Sequence, residues 1–219
     1  MPRHSLSPLL PLLRLSSVFA AVLALPIVLH GCATLPSDAE VAAKAASTLK
    51  SSFKEQGQAK LDRLDQDDTQ KACSLPAGKT PPKDVAARIE KENLASIRWP
   101  ADGKYVGDWK NGEKIAQDGR GMQFSDDPKV PAGANCYACH QLTPEEMSFG
   151  TIGPSLSRFG RSRGYSDDTR KYAYGKIFNA EAYSACTNMP RFGHKGILTE
   201  AQIKDVVALL VDPESPVNK

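Results

Sequence analysis

The 219-residue chain is long enough for one ordinary domain with extensions. Its composition, 41% hydrophobic and 24% charged, is that of a folded globular protein and excludes the disordered and fibrous classes. The formal net charge is +3; removing a leader with Arg3 and Arg14 and no acid leaves 26 basic against 25 acidic residues, a balance that gives nucleic-acid binding no footing.

Residues 1–33 read as an export signal. Arg3 and Arg14 supply the positive end, the run 18–29 supplies the apolar segment, and small residues follow. The run is short for a membrane span, and Pro26 interrupts it. Leu29-His30-Gly31-Cys32 resembles a bacterial lipobox, which would leave Cys32 as a lipidated N-terminus; His30 is atypical there. Gly31 and Ala33 also offer a small-x-small site for ordinary cleavage after Ala33. Both outcomes predict a periplasmic protein, and the first adds a membrane anchor.

Residues 34–80 form an extension. Up to residue 69, Val41, Leu49, Phe53, Leu61 and Leu64 recur at roughly helical intervals in a polar background. The apolar stripe is thin, so the segment is expected as an exposed helix or a partly disordered tether. Residues 75–82 are a Pro/Gly linker. The next segment, 81–104, starts with a short helix that Pro82 opens and that ends near Ile97. Trp99-Pro100-Ala101-Asp102-Gly103 is a turn.

Residues 105–219 are expected to be a small all-α domain, since no run is long enough to argue for a sheet. Residues 108–117 are its first helix, with Trp109 and Ile115 facing inward, and Gly119 and Gly121 permit tight backbone after it. Residues 165–179 are a second helix, with Tyr172, Ile177 and Phe178 as its apolar contacts. Thr199-Glu200-Ala201-Gln202 is a capping-box pattern that opens a last helix to about Val211, and Pro213 stops it.

Cys136-Tyr137-Ala138-Cys139-His140 carries the chemistry. C-x-x-C-H is the attachment pattern of a c-type haem: two thiols add across the haem vinyl groups, and the histidine becomes the proximal iron ligand. Alone, C-x-x-C could be a redox dithiol, half a zinc site or a disulfide; the adjoining histidine and the export signal select one covalently bound haem c. For the sixth ligand the chain offers Met122, Met147, Met189 and His194. Met189 is expected, because it lies in the non-helical Thr187-Asn188-Met189-Pro190, well after the haem motif; His194 is the alternative. A proximal histidine donates its other ring N–H to a carbonyl or carboxylate. The carbonyl of Pro154, in Gly153-Pro154-Ser155-Leu156, is the candidate acceptor, against a plain loop turn. Arg158, Arg161, Arg163 and Arg191 are candidates for the haem propionates, with Arg191 favoured by its place beside Met189.

The five cysteines then sort themselves. Cys136 and Cys139 serve haem and Cys32 belongs to the leader or lipid, which leaves Cys73 and Cys186. In an oxidising compartment two leftover cysteines pair, and the long loop would stabilise by about 4–5 kcal/mol in chain-entropy terms. The alternative is that one or both are free and buried.

Gly150-Thr151-Ile152-Gly153-Pro154-Ser155-Leu156, then Tyr183-Ser184-Ala185-Cys186-Thr187-Asn188-Met189-Pro190-Arg191-Phe192-Gly193-His194, and the ending 196–217, together resemble the SoxX family. SoxX is the monohaem subunit of the SoxAX cytochrome of sulfur-oxidising bacteria. The resemblance runs from residue 105 to the C-terminus and takes in Cys73 and residues 91–103 more loosely; residues 33–70 lie outside it. It implies a class I cytochrome c domain, haem on Cys136 and Cys139, and axial ligands His140 and Met189. It also implies partners: a SoxA-type dihaem or monohaem subunit, the carrier SoxYZ, and a small c-type cytochrome that accepts electrons. The implied reaction joins thiosulfate oxidatively to a carrier cysteine, an L-cysteine S-thiosulfotransferase to which this chain contributes electron transfer and no complete catalytic site. Competing readings are a stand-alone electron-carrier cytochrome, a peroxidase-like or gas-sensing haem protein with an open distal site, and a disulfide-stapled binding module without cofactor.

Overall fold

The computed structural model describes residues 35–76 and 79–219. The export signal with Cys32, and two residues of the Pro/Gly linker, lie outside the described residues. The chain divides into two units, Met1–Val41 and Ala42–Lys219.

Helix α1 (Asp38–Ser52) begins with a reciprocal cap: the Ser37 hydroxyl accepts from the Glu40 amide, and the Glu40 carboxylate accepts from the Ser37 amide at 2.8 Å. None of its residues is buried. After it, the extension is docked on the haem domain. Gln58 Nε2 donates to the carbonyls of Gln123 at 2.9 Å and Asp126 at 3.1 Å, and Arg63 donates to the Met122 carbonyl. Helix α2 (Asp68–Cys73) starts from a full capping box between Asp67 and Gln70. Its last residue, Cys73, is disulfide-bonded to Cys186. The extension therefore has two characters, an exposed helix and a fastened segment.

Helix α3 (Lys83–Ala95) follows Pro82 and buries Ile89 and Asn93. Asn93 is a polar pin: its Nδ2 donates to Thr69 Oγ1 of α2 at 2.9 Å, and its Oδ1 accepts from Asn179 Nδ2 at 2.9 Å. Helix α4 (Trp109–Gln117) is capped by the Asp108 carboxylate, which accepts from the Lys110 amide. Helix α5 (Phe159–Arg163) was not foreseen; it is one short turn entered through Arg158 in the left-handed region, φ 57°. Helix α6 (Asp167–Phe178) is capped by Ser166 and buries Ala173, Tyr174, Ile177 and Phe178. Helix α7 (Glu200–Val211) has the capping box of Thr199 with Gln202 and buries seven residues, Ile203 and the run from Val206 to Val211. Past it, a 3-10 turn (Pro216–Asn218) folds back. Ser215 Oγ donates to the Leu209 carbonyl at 2.6 Å, and Asn218 Nδ2 donates to the Leu210 carbonyl at 3.0 Å, so the helix end is satisfied although buried. No strand occurs among the described residues; one isolated bridge joins Gln56 and Ala59.

The core is the crossing of α4 on α7, flanked by α6. Gly112 makes the crossing close: a Cβ there would overlap the Asp205 carbonyl oxygen and reach Leu209 Cβ at 3.1 Å. The Gly107 amide donates to the Lys204 carbonyl at 2.9 Å and the Asp108 amide to Asp205 Oδ1 at 2.8 Å, locking the same junction. Gly112→Ala is expected to force the two helices apart and cost about 1–3 kcal/mol. A thermal melt checks this; an unchanged melting temperature would mean that the helices do not meet at Gly112.

Candidate haem site

The end of α4 positions the haem motif. The Ile115 carbonyl accepts from the Ala134 amide at 2.9 Å, and the Asp118 carbonyl accepts from the Asn135 amide at 3.0 Å. Asn135 turns left-handed, φ 45°, a conformation asparagine tolerates better than most residues. The 3-10 turn Cys136–Ala138 follows. The Cys136 carbonyl accepts from both the Cys139 amide at 3.1 Å and the His140 amide at 2.9 Å. That one turn brings both thiols and the imidazole onto a single cavity of about 600 Å³.

The segment after the motif is laid against it backbone to backbone. The amides of Gly150, Gly153 and Leu156 donate to the carbonyls of Tyr137, Cys139 and Gln141 at 2.9, 2.9 and 2.8 Å. Both glycines are required by proximity: a Cβ at Gly150 would overlap the Ala138 carbonyl, and one at Gly153 would overlap the His140 ring. His140 Nδ1 lies 2.7 Å from the Pro154 carbonyl oxygen. A carbonyl can only accept, so Nδ1 carries the proton and Nε2 keeps the free lone pair, the tautomer an iron ligand needs.

Met189 is half-buried and lines the same cavity as His140. The other sixth-ligand candidates are elsewhere. His194 is exposed, with Nδ1 3.2 Å from Ser96 Oγ, and Met147 is fully exposed. Met122 gives its carbonyl to Arg63 and does not line the cavity. The walls are apolar, including Leu142, Leu156, Phe159, Ile177 and Leu209. Burial among them pushes the Cys136 thiol up to about 12.

The expectation for Arg191 is corrected. Arg191 does not line the haem cavity; it is buried, 8% exposed, and its Nη2 lies 2.6 Å from Asp67 Oδ2. Lys195 Nζ reaches the same oxygen at 2.7 Å. The reason is that burying a guanidinium demands a carboxylate partner, and Asp67 at the start of α2 supplies one. Of the four arginines considered for the propionates, Arg163 is the one that lines the cavity, with its guanidinium 5.4 Å from the Tyr172 ring centroid and 5.0 Å from that of Phe159. Lys176 lines it too. The sequence reading had not singled out Lys176, Tyr172 as a cavity residue or Asp67; only the i, i+4 spacing of Tyr172 and Lys176 on one helix face signalled any of them.

Two thiols and a tautomer-fixed imidazole on one turn, over an apolar cavity that Met189 also lines, fit a covalently held haem. When bound, that group supplies reversible one-electron chemistry. Cys136 and Cys139 would hold it, and the Pro154 carbonyl would keep the imidazole of His140 oriented toward it.

Such an all-helical fold around such a site defines a haem-binding electron-transfer protein. Residues 110–212 match the cytochrome c family. The chain is also 41% identical over 155 residues to an uncharacterized lipoprotein of Aquifex aeolicus (strain VF5), the aligned part covering 70% of this chain and 73% of that protein. The chain therefore carries a cytochrome c domain, and the cofactor of that domain is a covalently bound haem c.

Two outcomes follow. Gly153→Ala is expected to displace the His140 ring and give a partly high-spin haem spectrum; a wild-type spectrum would mean that the backbone at residue 153 does not press on the ring. For Asp67, burial raises the carboxyl, but hydrogen bonds from Lys195, the Gln70 amide and Arg191 outweigh it and hold the group well below the ordinary value of 3.8. A carboxyl depressed by folding stabilises fully above its unfolded value and loses that contribution as pH falls toward its folded value. Asp67→Asn keeps a good helix cap and removes the charge. It should therefore destabilise by about 1–3 kcal/mol at neutral pH, with the gap to wild type narrowing below about pH 3.8. Melts across pH test it; a gap independent of pH would contradict it.

Proposed function

We propose that this chain is the monohaem electron-relay subunit of a SoxAX-type complex. The observation that carries this reading is the stretch Cys186-Thr187-Asn188-Met189-Pro190-Arg191-Phe192-Gly193, which is far more specific to the SoxX family than C-x-x-C-H and which sets Met189 on the haem cavity. His140 and Met189 serve as axial ligands; a thioether favours the ferrous state and raises the potential, which suits an electron relay.

In the proposed reaction a sulfur–sulfur bond forms between the cysteine thiol of the carrier SoxYZ and the outer sulfur of thiosulfate. The thiol proton leaves to solvent. Two electrons leave by way of a SoxA-type dihaem or monohaem subunit, pass singly through this chain, and end on a small c-type cytochrome. The rim of the haem cavity supports a docked subunit over a free carrier. Ile152 lines the cavity and is 69% exposed, while Phe149 and Met147 beside it are also exposed; an apolar rim suits a lasting interface, whereas a free carrier steers its partners with a ring of charge.

The relative's name supports a lipoprotein reading of this chain as well, with Cys32 as the lipidated N-terminus of a periplasmic, membrane-anchored protein. Among the described residues no helix is long and apolar enough to cross a membrane.

The test is to mix the oxidised, haem-loaded protein with its SoxA partner, SoxYZ and thiosulfate, and to follow haem absorption. Reduction that needs all three additions is expected. A haem that stays oxidised there, yet accepts electrons from a generic cytochrome reductant, would leave an electron carrier alone.

A further inference from the structure

The Met189 loop has no regular structure of its own to hold it. The 3-10 turn Ala180–Ala182 ends before it, and no helix follows until α7. On one side the loop borders the haem cavity. On the other it borders a second cavity of about 460 Å³, lined by Cys186, Met189 and Pro190 from the loop and by Thr69, Gln70 and Cys73 from α2. The loop is thus a partition between two spaces, with room to withdraw from the haem.

Besides the Ala185 amide, which donates to a Glu90 carboxylate oxygen of α3 at 3.1 Å, two long-range bonds oppose that withdrawal, and α2 with its N-cap supplies both. The Cys73–Cys186 disulfide fastens the loop three residues before Met189, across a sequence separation of 113. The Asp67 ion pair fastens it two residues after, at Arg191. The bonds leave from opposite ends of one short helix, the N-cap and the last turn. Cys186 is itself held left-handed, φ 59°, and its amide donates to the buried Glu181 carboxylate at 2.6 Å.

We propose that α2 is a clamp that positions Met189 on the iron, with Asp67, Arg191, Cys73 and Cys186 as the positioning residues. This rests on Met189 being the sixth ligand. An external ligand binds only the fraction of protein in which Met189 is off the iron, so its apparent affinity measures that fraction. A clamp keeps the fraction small; opening it lets the loop relax toward the second cavity, and the fraction rises.

The test compares haem-loaded wild type with Asp67→Asn and with the double variant Cys73→Ser/Cys186→Ser. Met189→Ala and Val217→Ala are the controls. The readouts are the methionine-to-ferric-iron charge-transfer band, the affinity for imidazole, and the melting temperature. Wild type should show the band and Met189→Ala should lack it. Both clamp variants should lose much of the band and bind imidazole roughly tenfold or more tightly. Val217→Ala should melt lower yet keep the wild-type band and affinity, because it removes buried volume from the C-terminal turn, which borders neither cavity. Asp67→Asn carries the test alone if the double variant does not fold. Clamp variants with the wild-type band and imidazole affinity overturn the clamp, as does a Val217→Ala protein that changes as much as they do. A wild type that lacks the band and matches Met189→Ala overturns the ligand reading, and the clamp with it.

Discussion

The hydrogen bond between His140 Nδ1 and the Pro154 carbonyl is the fixed point of this structure. It decides which ring nitrogen faces iron, and it does so only if residues 150–156 stay flat against the haem motif. Gly150 and Gly153 permit that contact by having no side chain. The motif in turn hangs from the last carbonyls of α4, through the Ala134 and Asn135 amides. Since α4 is set by its crossing on α7 at Gly112, the orientation of one imidazole depends on a continuous run of close contacts back to the core. Such contacts are stiff because packed interiors have few alternative arrangements.

The two sides of the site are built by different means. The proximal side uses short-range backbone hydrogen bonds, all within about one loop's length of the haem motif. Their closure costs little entropy, so this half can form as soon as the turn forms. The distal side uses the disulfide from Cys73 and the ion pair from Asp67, residues far away in sequence. Those bonds close only when the extension has found the haem domain. The difference suits the electron relay proposed for this chain, in which Met189 would set the balance between the two oxidation states.

What could be read from the sequence follows the same division. The haem motif, the capping box at Thr199 and the Pro154 carbonyl were legible because each is a short-range pattern with a local mechanism. Arg191 was misassigned because its partner, Asp67, is invisible at short range; an arginine near a candidate ligand methionine reads as a haem contact until the carboxylate appears. Helix α5 and the turn Pro216–Asn218 escaped notice for a related reason. Both are too short to show a period, and both are held by contacts across the chain, such as the Arg158 amide to the Val217 carbonyl at 2.7 Å. The extension was read as one piece because its apolar residues are evenly sparse. Its division into an exposed α1 and a docked α2 depends on single residues such as Thr69 and Cys73.

Covalent attachment changes what the rest of the fold must do. A haem held by two thioethers stays in place even when an axial bond breaks, so the loop bearing Met189 is not needed to retain it. The loop's position then bears on ligation and potential alone. A loop free of the retention task can be soft in itself and take its stiffness from a separate element. In this chain the separate element is α2, whose residues lie outside the part that matches the cytochrome c family. The ion pair at Arg191 illustrates the consequence. It is a poor way to gain stability, because a buried guanidinium sacrifices much hydration for its partner. It is a good way to fix a register, since only one placement of the loop brings Arg191 to Asp67 while the disulfide is closed.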